Sequence, residues 1–182
     1  MNADGSNQTQ LTKSEGGYPR FVTPDGKWVY FQSGLHQTLW RVSTDSGEET
    51  QVSEEKIFEP AFSPNGNLLA FFFRVKGNDN RNQIAVMSVD SRKIVKTLNL
   101  AENRSTPVKI AWAGDNQILY YITTNGPKNS LWRQTFSGDG PRLISDFGDE
   151  EIGDFQVSPD GGSFAFIRGK WIHNAVLIEG LK

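Results

Sequence analysis

Cysteine is absent from all 182 residues. That one absence excludes disulfide staples, thiolate-held metals and a cysteine nucleophile together. Histidine is nearly absent, with only His36 and His173 in the chain. No apolar run approaches the roughly 18 residues that span a bilayer; the longest is Leu68 to Phe73. The opening Met1-Asn2-Ala3-Asp4-Gly5 has neither the basic start nor the apolar stretch of a signal peptide. Neither sign of charge dominates: 19 basic and 21 acidic residues leave a net charge of −2, and the basic residues are scattered. Such a chain offers no electrostatic footprint for a nucleic-acid backbone. Neither nucleic-acid binding nor membrane insertion is expected of this segment. What is present is 36% hydrophobic and 12% aromatic residues beside 22% charged ones, a composition that folds around a ring-rich core.

The order of the residues says more than their proportions. Four turn signals recur: Thr23-Pro24-Asp25-Gly26, Ser63-Pro64-Asn65-Gly66, Ala113-Gly114-Asp115-Asn116 and Ser158-Pro159-Asp160-Gly161. Their second residues lie 40, 50 and 45 positions apart, the spacing of a structural repeat. The third copy has lost its Pro and Gly but keeps an Asp-Asn pair suited to a turn. A short segment with an aromatic ring precedes each signal, as in Tyr18 to Val22 and Val108 to Trp112. Apolar runs follow: Trp28 to Phe31, Leu68 to Phe73, Ile118 to Ile122 and Phe164 to Ile167. A third run comes next (Leu39 to Val42, Ile84 to Met87, Leu131 to Gln134, Ala175 to Ile178), then a polar turn and a short fourth segment.

Runs of four to six residues, rich in β-branched and aromatic side chains and bounded by Gly, Pro, Asn and Asp, predict strands. The Asp-Gly and Asn-Gly pairs supply the positive φ of tight turns, so neighbouring strands should be antiparallel. The second strands are apolar on consecutive residues; a strand wet on one face would alternate, so these must be covered on both. Four antiparallel strands per unit, each unit covered by its neighbours, describe the blades of a β-propeller. The expected fold is therefore all-β, a single propeller domain or propeller fragment over residues 1–182 with about four blade equivalents. Residues 1–12 supply an outer strand, 18–53, 57–100 and 107–145 full blades, and 153–178 three strands of the last. Ile94, Val95, Leu98 and Ala101 also recur at helical spacing; repeat position favours a fourth strand over Ile94 to Leu98.

These repeats resemble the TolB-type, WD-repeat-like propeller repeat: an aromatic residue, Ser-Pro-Asp-Gly, an apolar strand, then a strand ending in an Asp-Gly turn. More specifically, the chain is similar to the C-terminal propeller part of large bacterial regulators with an N-terminal serine/threonine kinase or winged-helix domain. The residues behind that resemblance are Asp25 to Phe31, Leu39 to Val42 with Gly47 to Val52, Ala70 to Arg74, Leu131-Trp132 with Pro141 to Leu143, and Ser158 through Arg168 to Ile178. The resemblance implies a bacterial interaction or sensing module whose output lies in another domain. It further implies a place outside the cytoplasm if that family's membrane-anchored arrangement holds. No kinase motif and no helix-turn-helix lies in these residues, so neither activity is carried over.

Three strands at one end and one at the other would make a whole blade, because closure removes exposed sheet edges. The strand around Gln8 to Thr12 is therefore expected to pair with that around Ala175 to Ile178. The pairing could form within one molecule or between two, the second case giving a homodimer by blade sharing. A piece of a longer propeller, a four-bladed ring and two chains sharing an eight-bladed ring all satisfy this pattern.

Chemistry is sparse. A serine hydrolase needs Ser, His and a carboxylate in register, and no Gly-x-Ser-x-Gly elbow accompanies the two histidines. The loop Lys76 to Asn82 lacks the spaced carboxylates and closing Glu of a calcium site, and no glycine-rich phosphate cradle is present. No cofactor, no metal and no catalysis are expected. Asp146, Asp149, Glu150, Glu151 and Asp154 put five carboxylates within nine residues, a run that either draws a cation or a basic partner or is simply a solvated connection. Trp28, Trp40, Trp112 and Trp132 fall at strand positions and are expected between blades, whereas Trp171 sits in a loop beside Lys170 and His173. Loops joining second to third strands and blade to blade emerge on one face, with the Asp-Gly turns on the other. The first face would gather His36, Arg81, Lys128, Asp149, Glu150, Glu151, Trp171 and His173 as the candidate binding surface for a protein or small-molecule ligand. A propeller gate of a prolyl-oligopeptidase-like peptidase and a periplasmic TolB-like envelope component are the rival expectations.

Overall fold

The computed structural model describes residues 4–13, 17–74, 82–102, 105–158 and 160–170. Fourteen strands and no helix occur among them. Strands β1 (Gly17–Val22), β2 (Trp28–Ser33), β3 (Leu39–Ser43) and β4 (Glu49–Gln51) form the first sheet in sequence order. The second sheet is β5 (Phe58–Phe62), β6 (Leu68–Arg74), β7 (Asn82–Ser88) and β8 (Ile94–Asn99), again as an antiparallel meander. The third is β9 (Thr106–Trp112), β10 (Ile118–Asn125), β11 (Lys128–Thr135) and β12 (Arg142–Asp146); β13 (Glu151–Val157) pairs with β14 (Phe164–Gly169). Repeat position prevails over helical spacing at Ile94 to Asn99: the segment pairs antiparallel with β7, Leu98 opposite Ile84 and Asn99 opposite Gln83.

The turns explain why the hairpins start where they do. Thr23 accepts the amide of Gly26 on its carbonyl at 2.8 Å, Asp25 accepts the amide of Lys27 at 3.1 Å, and the Thr23 hydroxyl donates to Asp25 at 2.6 Å. Ser63 and Asn65 repeat that network, with a hydroxyl–amide bond of 2.8 Å, and Ser158 and Asp160 repeat it again. Gly26, Gly66 and Gly161 take φ of 71°, 73° and 71°, the left-handed conformation that glycine adopts without a Cβ penalty. The eroded third copy is rescued differently. Ala113 has no hydroxyl, so Asp115 accepts the amides of both Gln117 and Ile118, and Asn116 carries the positive φ of 57°.

Three apolar clusters lie between consecutive sheets. We call the face turned toward the preceding blade leading and the opposite face trailing. Tyr30 and Leu39 of the first blade meet Leu69, Phe71 and Met87 of the second, where Phe21 stacks on Phe62 at 4.2 Å. The alternate residues of β6, Ala70 and Phe72, meet Ile110, Trp112, Leu119 and Tyr121 of the third blade. Tyr120 and Ile122 on the other side of β10 meet Ile152, Phe155, Phe164 and Phe166 of the fourth. Both faces of β6 and β10 are thus covered, which accounts for their unbroken apolar runs. Every first strand also carries a register shift against its neighbour, between Pro19 and Phe21, Phe58 and Ala61, Pro107 and Lys109, and Ile152 and Asp154. Bulges of this kind bend a strand and sharpen its twist, and the first strands are where successive sheets approach each other, β5 against β9 and β9 against β13.

Of the outer strand expected over residues 1–12, the described residues 4–12 join none of the four sheets. The amide of Lys13 instead donates to Glu49 of β4 at 2.5 Å, placing this segment beside the first blade. Its expected partner around Ala175 to Ile178 lies outside the described residues.

Candidate functional site

The connections between blades are held by a device that recurs three times. Gln32 donates from Nε2 to the carbonyl of Ile57 at 2.7 Å. Asn82 donates to the carbonyl of Ser105 at 3.2 Å, and Asn129 to that of Glu150 at 2.9 Å. Ile57, Ser105 and Glu150 are each the last residue before the first strand of the next blade. An amide side chain of one blade therefore pins the entry to the following one. Gln32 is 6% exposed and Asn129 3%, so these bonds also satisfy polar groups that burial would otherwise leave at a cost.

This pinned face holds the nominated residues that the structure describes. His36 lies exposed in the β2–β3 turn, its amide donating to the Ser33 hydroxyl at 3.3 Å. Lys128 opens β11 opposite Asn125, also exposed. Asp149 and Glu150 occupy the connection from the third blade to the fourth, and Glu151 begins β13. No hydrogen bond or ion pair among the described residues joins His36 or Lys128 to the acidic run. Arg81, Trp171 and His173 lie outside the described residues, as does the loop 76–81.

The acidic run is not the bare negative patch that its sequence suggests. Lys170 reaches Asp149 at 2.8 Å and Arg168 reaches Glu150 at 2.9 Å. Asp146 accepts the amide of Gly148, and Asp154 turns inward to Lys109 at 3.3 Å. The hydrogen bond from Lys170 holds the Asp149 carboxyl below the usual carboxylate range and raises the lysine in step. Strand β14 brings these basic residues back to the acidic connection, a return that spacing along the chain does not reveal.

Sequence reasoning missed one charged feature. Lys109 on β9 lies 3.7 Å from Glu59 on β5 and 3.3 Å from Asp154 on β13, linking the first strands of three successive blades. Glu59 takes φ of 48° at its bulge, an uncommon conformation for a residue with a side chain. Its signal was available in retrospect, since these residues occupy the same place before each turn.

The tryptophans divide by role. Trp112 donates its indole N–H across the second interface to the Ala61 carbonyl at 2.9 Å, and Trp132 packs beside it with its N–H on Thr123. Trp28 lies at the first interface under the guanidinium of Arg41, 4.0 Å from the ring centroid. Trp40 turns to the leading face of the first blade and bonds Thr38 at 3.0 Å.

The recurrent Ser/Thr–Asp pairs are turn locks: the Thr23 and Ser158 hydroxyls hold Asp25 and Asp160 below the usual carboxylate range. A carboxylate so stabilised is a weak general base. No group of three His, Asp or Glu that could hold a metal occurs among the described residues.

Sheets of antiparallel strands stacked face to face, meeting along their first strands and pinned blade to blade, define a β-propeller, here seen as a partial ring. The chain belongs to the family of prolyl oligopeptidase N-terminal β-propeller domains, whose model matches residues 25–135, more than half of the sequence. Among solved structures it is similar to TolB from Acinetobacter baumannii, at 18% identity and a TM-score of 0.63 over 80% of this chain and 36% of that one. It is similar to Kuenenia stuttgartiensis hydrazine synthase at 13% identity and a TM-score of 0.64, over 80% of this chain and 47% of the other. A third likeness is to Porphyromonas gingivalis dipeptidyl peptidase 4, at 16% identity and a TM-score of 0.61, over 86% of this chain and 30% of that one. The chain thus spans between about a third and a half of each of these. No curated protein matches the sequence.

Proposed function

We propose that this propeller is a non-enzymatic scaffold that binds a protein or small-molecule partner on the face of the blade connections, with any output produced by another domain of a larger protein. The observation that carries this reading is the threefold amide pinning of that face. Gln32, Asn82 and Asn129 fix the entry of each blade, so the loops around His36, Lys128 and Glu151 project from a stiff base. A binding surface that starts ordered loses less entropy on association. The polar pairs that recur on the opposite face hold its turns. The bacterial regulator context suggested by the sequence resemblance belongs to this proposal and rests on the residues quoted for it.

A second reading draws on the family match: the propeller would sit as a gate beside a serine hydrolase domain. One experiment separates the two. A photo-crosslinking residue is placed at Lys128 or Glu151 on the connection face, and at Lys27 or Asn67 on the turn face. The scaffold reading expects adducts of a defined mass from the first pair only. Adducts from both faces alike, or from neither, would sink it. Labelling of the crosslinked partner by a fluorophosphonate, which marks an activated serine, would favour the gate.

A further inference from the structure

We infer that Asn125-Gly126, at the tip of the β10–β11 hairpin, is a site of spontaneous deamidation, and that the fold protects the other Asn-Gly pair of the sequence, Asn65-Gly66, from the same reaction. In this chemistry the backbone nitrogen of the glycine attacks Cγ of the asparagine. A C–N bond forms, the carboxamide C–N bond breaks, and ammonia leaves with the proton that the backbone amide gives up. Water then opens the five-membered succinimide at either carbonyl. One opening gives aspartate; the other reroutes the chain through the side chain as isoaspartate. Water is the one co-reactant, and no oxidation state changes. Glycine after the asparagine favours the attack, because no Cβ obstructs the closing ring.

The two pairs meet opposite surroundings. The nitrogen of Gly66 already donates to the Ser63 carbonyl at 2.8 Å, and Oδ1 of Asn65 accepts the Ser63 hydroxyl at 2.8 Å and the Asn67 amide at 3.1 Å. The amide of Asn65 itself donates to Asn116 of the next blade at 3.0 Å. A Cβ at Gly66 would lie 3.2 Å from Pro24, so the turn of the preceding blade stands against it. Attacking and attacked atoms are therefore both fixed, and bringing them together breaks bonds within the turn and between blades.

Residues 125–128 are all exposed. Gly126 takes φ of 61°, nothing lies within 4 Å of where a Cβ would stand on it, and its amide makes no hydrogen bond among the described residues. The Asn125 side chain is restrained by one exposed bond, from Nδ2 to Glu102 at 3.1 Å. Turning the Gly126 nitrogen toward Cγ undoes that bond and the terminal Asn125↔Lys128 pair of the hairpin, and leaves the core untouched. Exposed loop tips open at the low end of a fold's stability range. The product alters the face of the blade connections: a donor to Glu102 becomes a carboxylate facing a carboxylate, an arrangement that like charges disfavour. The hairpin loses its tie to the connection after β8, and the net charge of −2 becomes more negative by one unit.

The test is peptide mapping by mass spectrometry of the 182-residue chain after incubation in mildly alkaline buffer, beside a parallel sample unfolded in urea. Trypsin separates the two sites, Asn65 in the peptide from Ile57 to Arg74 and Asn125 in that from Ile110 to Lys128. Deamidation raises a peptide's mass by the difference between a carboxyl group and an amide, and an isoaspartate methyltransferase labels the rerouted product. In the folded chain Asn125 should react at least about tenfold faster than Asn65, whose turn must first give up its hydrogen bonds. In urea the two rates should converge. Equal rates in the folded chain, a faster Asn65, or an Asn125 that reacts only after unfolding would overturn the inference. So would a difference that persists undiminished in urea, which would belong to the neighbouring sequence and not to the fold.

Discussion

Removing the Phe72 ring is the sharpest test of radial stacking. Phe72 is fully buried on the trailing face of the second blade and meets Tyr121 of the third edge-on, with centroids 6.4 Å apart and ring planes at 77°. Phe72→Ala forfeits the transfer energy of the ring and leaves a cavity, about 3–5 kcal/mol by analogy with buried aromatic truncations. An aromatic pair carries about 0.5–1.5 kcal/mol beyond its buried area. A double-mutant cycle with Tyr121→Leu should therefore return a coupling of that order. In a chain of this size a loss of about 3–5 kcal/mol lowers the melting temperature by about 6–20 °C. Val95→Ala, at a 49% exposed position, should stay within about 0.5 kcal/mol of wild type. Calorimetry gives the size of the loss, and amide hydrogen exchange gives its location. Because Phe72 belongs to the cluster that both blades share, exchange should quicken in β6 and β7 and equally in β9 and β10. Acceleration confined to the second blade, or a cost no larger than that of Val95→Ala, would refute the stacking argument.

The amide pins predict a second contrast: Gln32→Leu strips the Ile57 carbonyl of its donor and frees Arg20, which gives Oε1 of Gln32 bonds of 2.6 and 3.1 Å. It should cost about 1–3 kcal/mol in urea unfolding, while Gln51→Leu, whose amide bonds the Ser53 carbonyl at an exposed site, should cost almost nothing; equal effects would remove the special role of the pins. The turn carboxylates predict a pH dependence. Asp25 and Asp160 are held below the ordinary carboxylate range by hydroxyl donors, so their contribution is present above about pH 4 and lost as pH falls through the lower folded value. Replacing both with Asn, the residue that performs the same task at position 65, should flatten the acid limb of a tryptophan-fluorescence unfolding profile, and an unchanged limb would show that other carboxylates govern acid unfolding.

How much was legible differs from one feature to the next. The four turn signals and the unbroken apolar runs between them were enough for an all-β chain of stacked blades, because a turn that needs positive φ and a strand wet on neither face are both local demands. Even the eroded third turn held, since Asp115 and Asn116 answer the same demand by other bonds. The charges were not legible in this way. Two of the five carboxylates in the acidic run, Asp149 and Glu150, are paired by Lys170 and Arg168, some twenty residues away in sequence. The amide pins escape the repeat register because Gln32 lies next to the end of a second strand, whereas Asn82 and Asn129 lie at the start of third ones.

Local chemistry therefore determined the strands, their turns and the two buried faces, since backbone sterics and hydrophobic alternation act within a few residues. Which rings meet across each interface, and how Arg168 and Lys170 return to the acidic connection, were decided by the tertiary structure alone. Those outcomes depend on pairs that meet only after the sheets have stacked, and distance along the chain carries no record of that meeting.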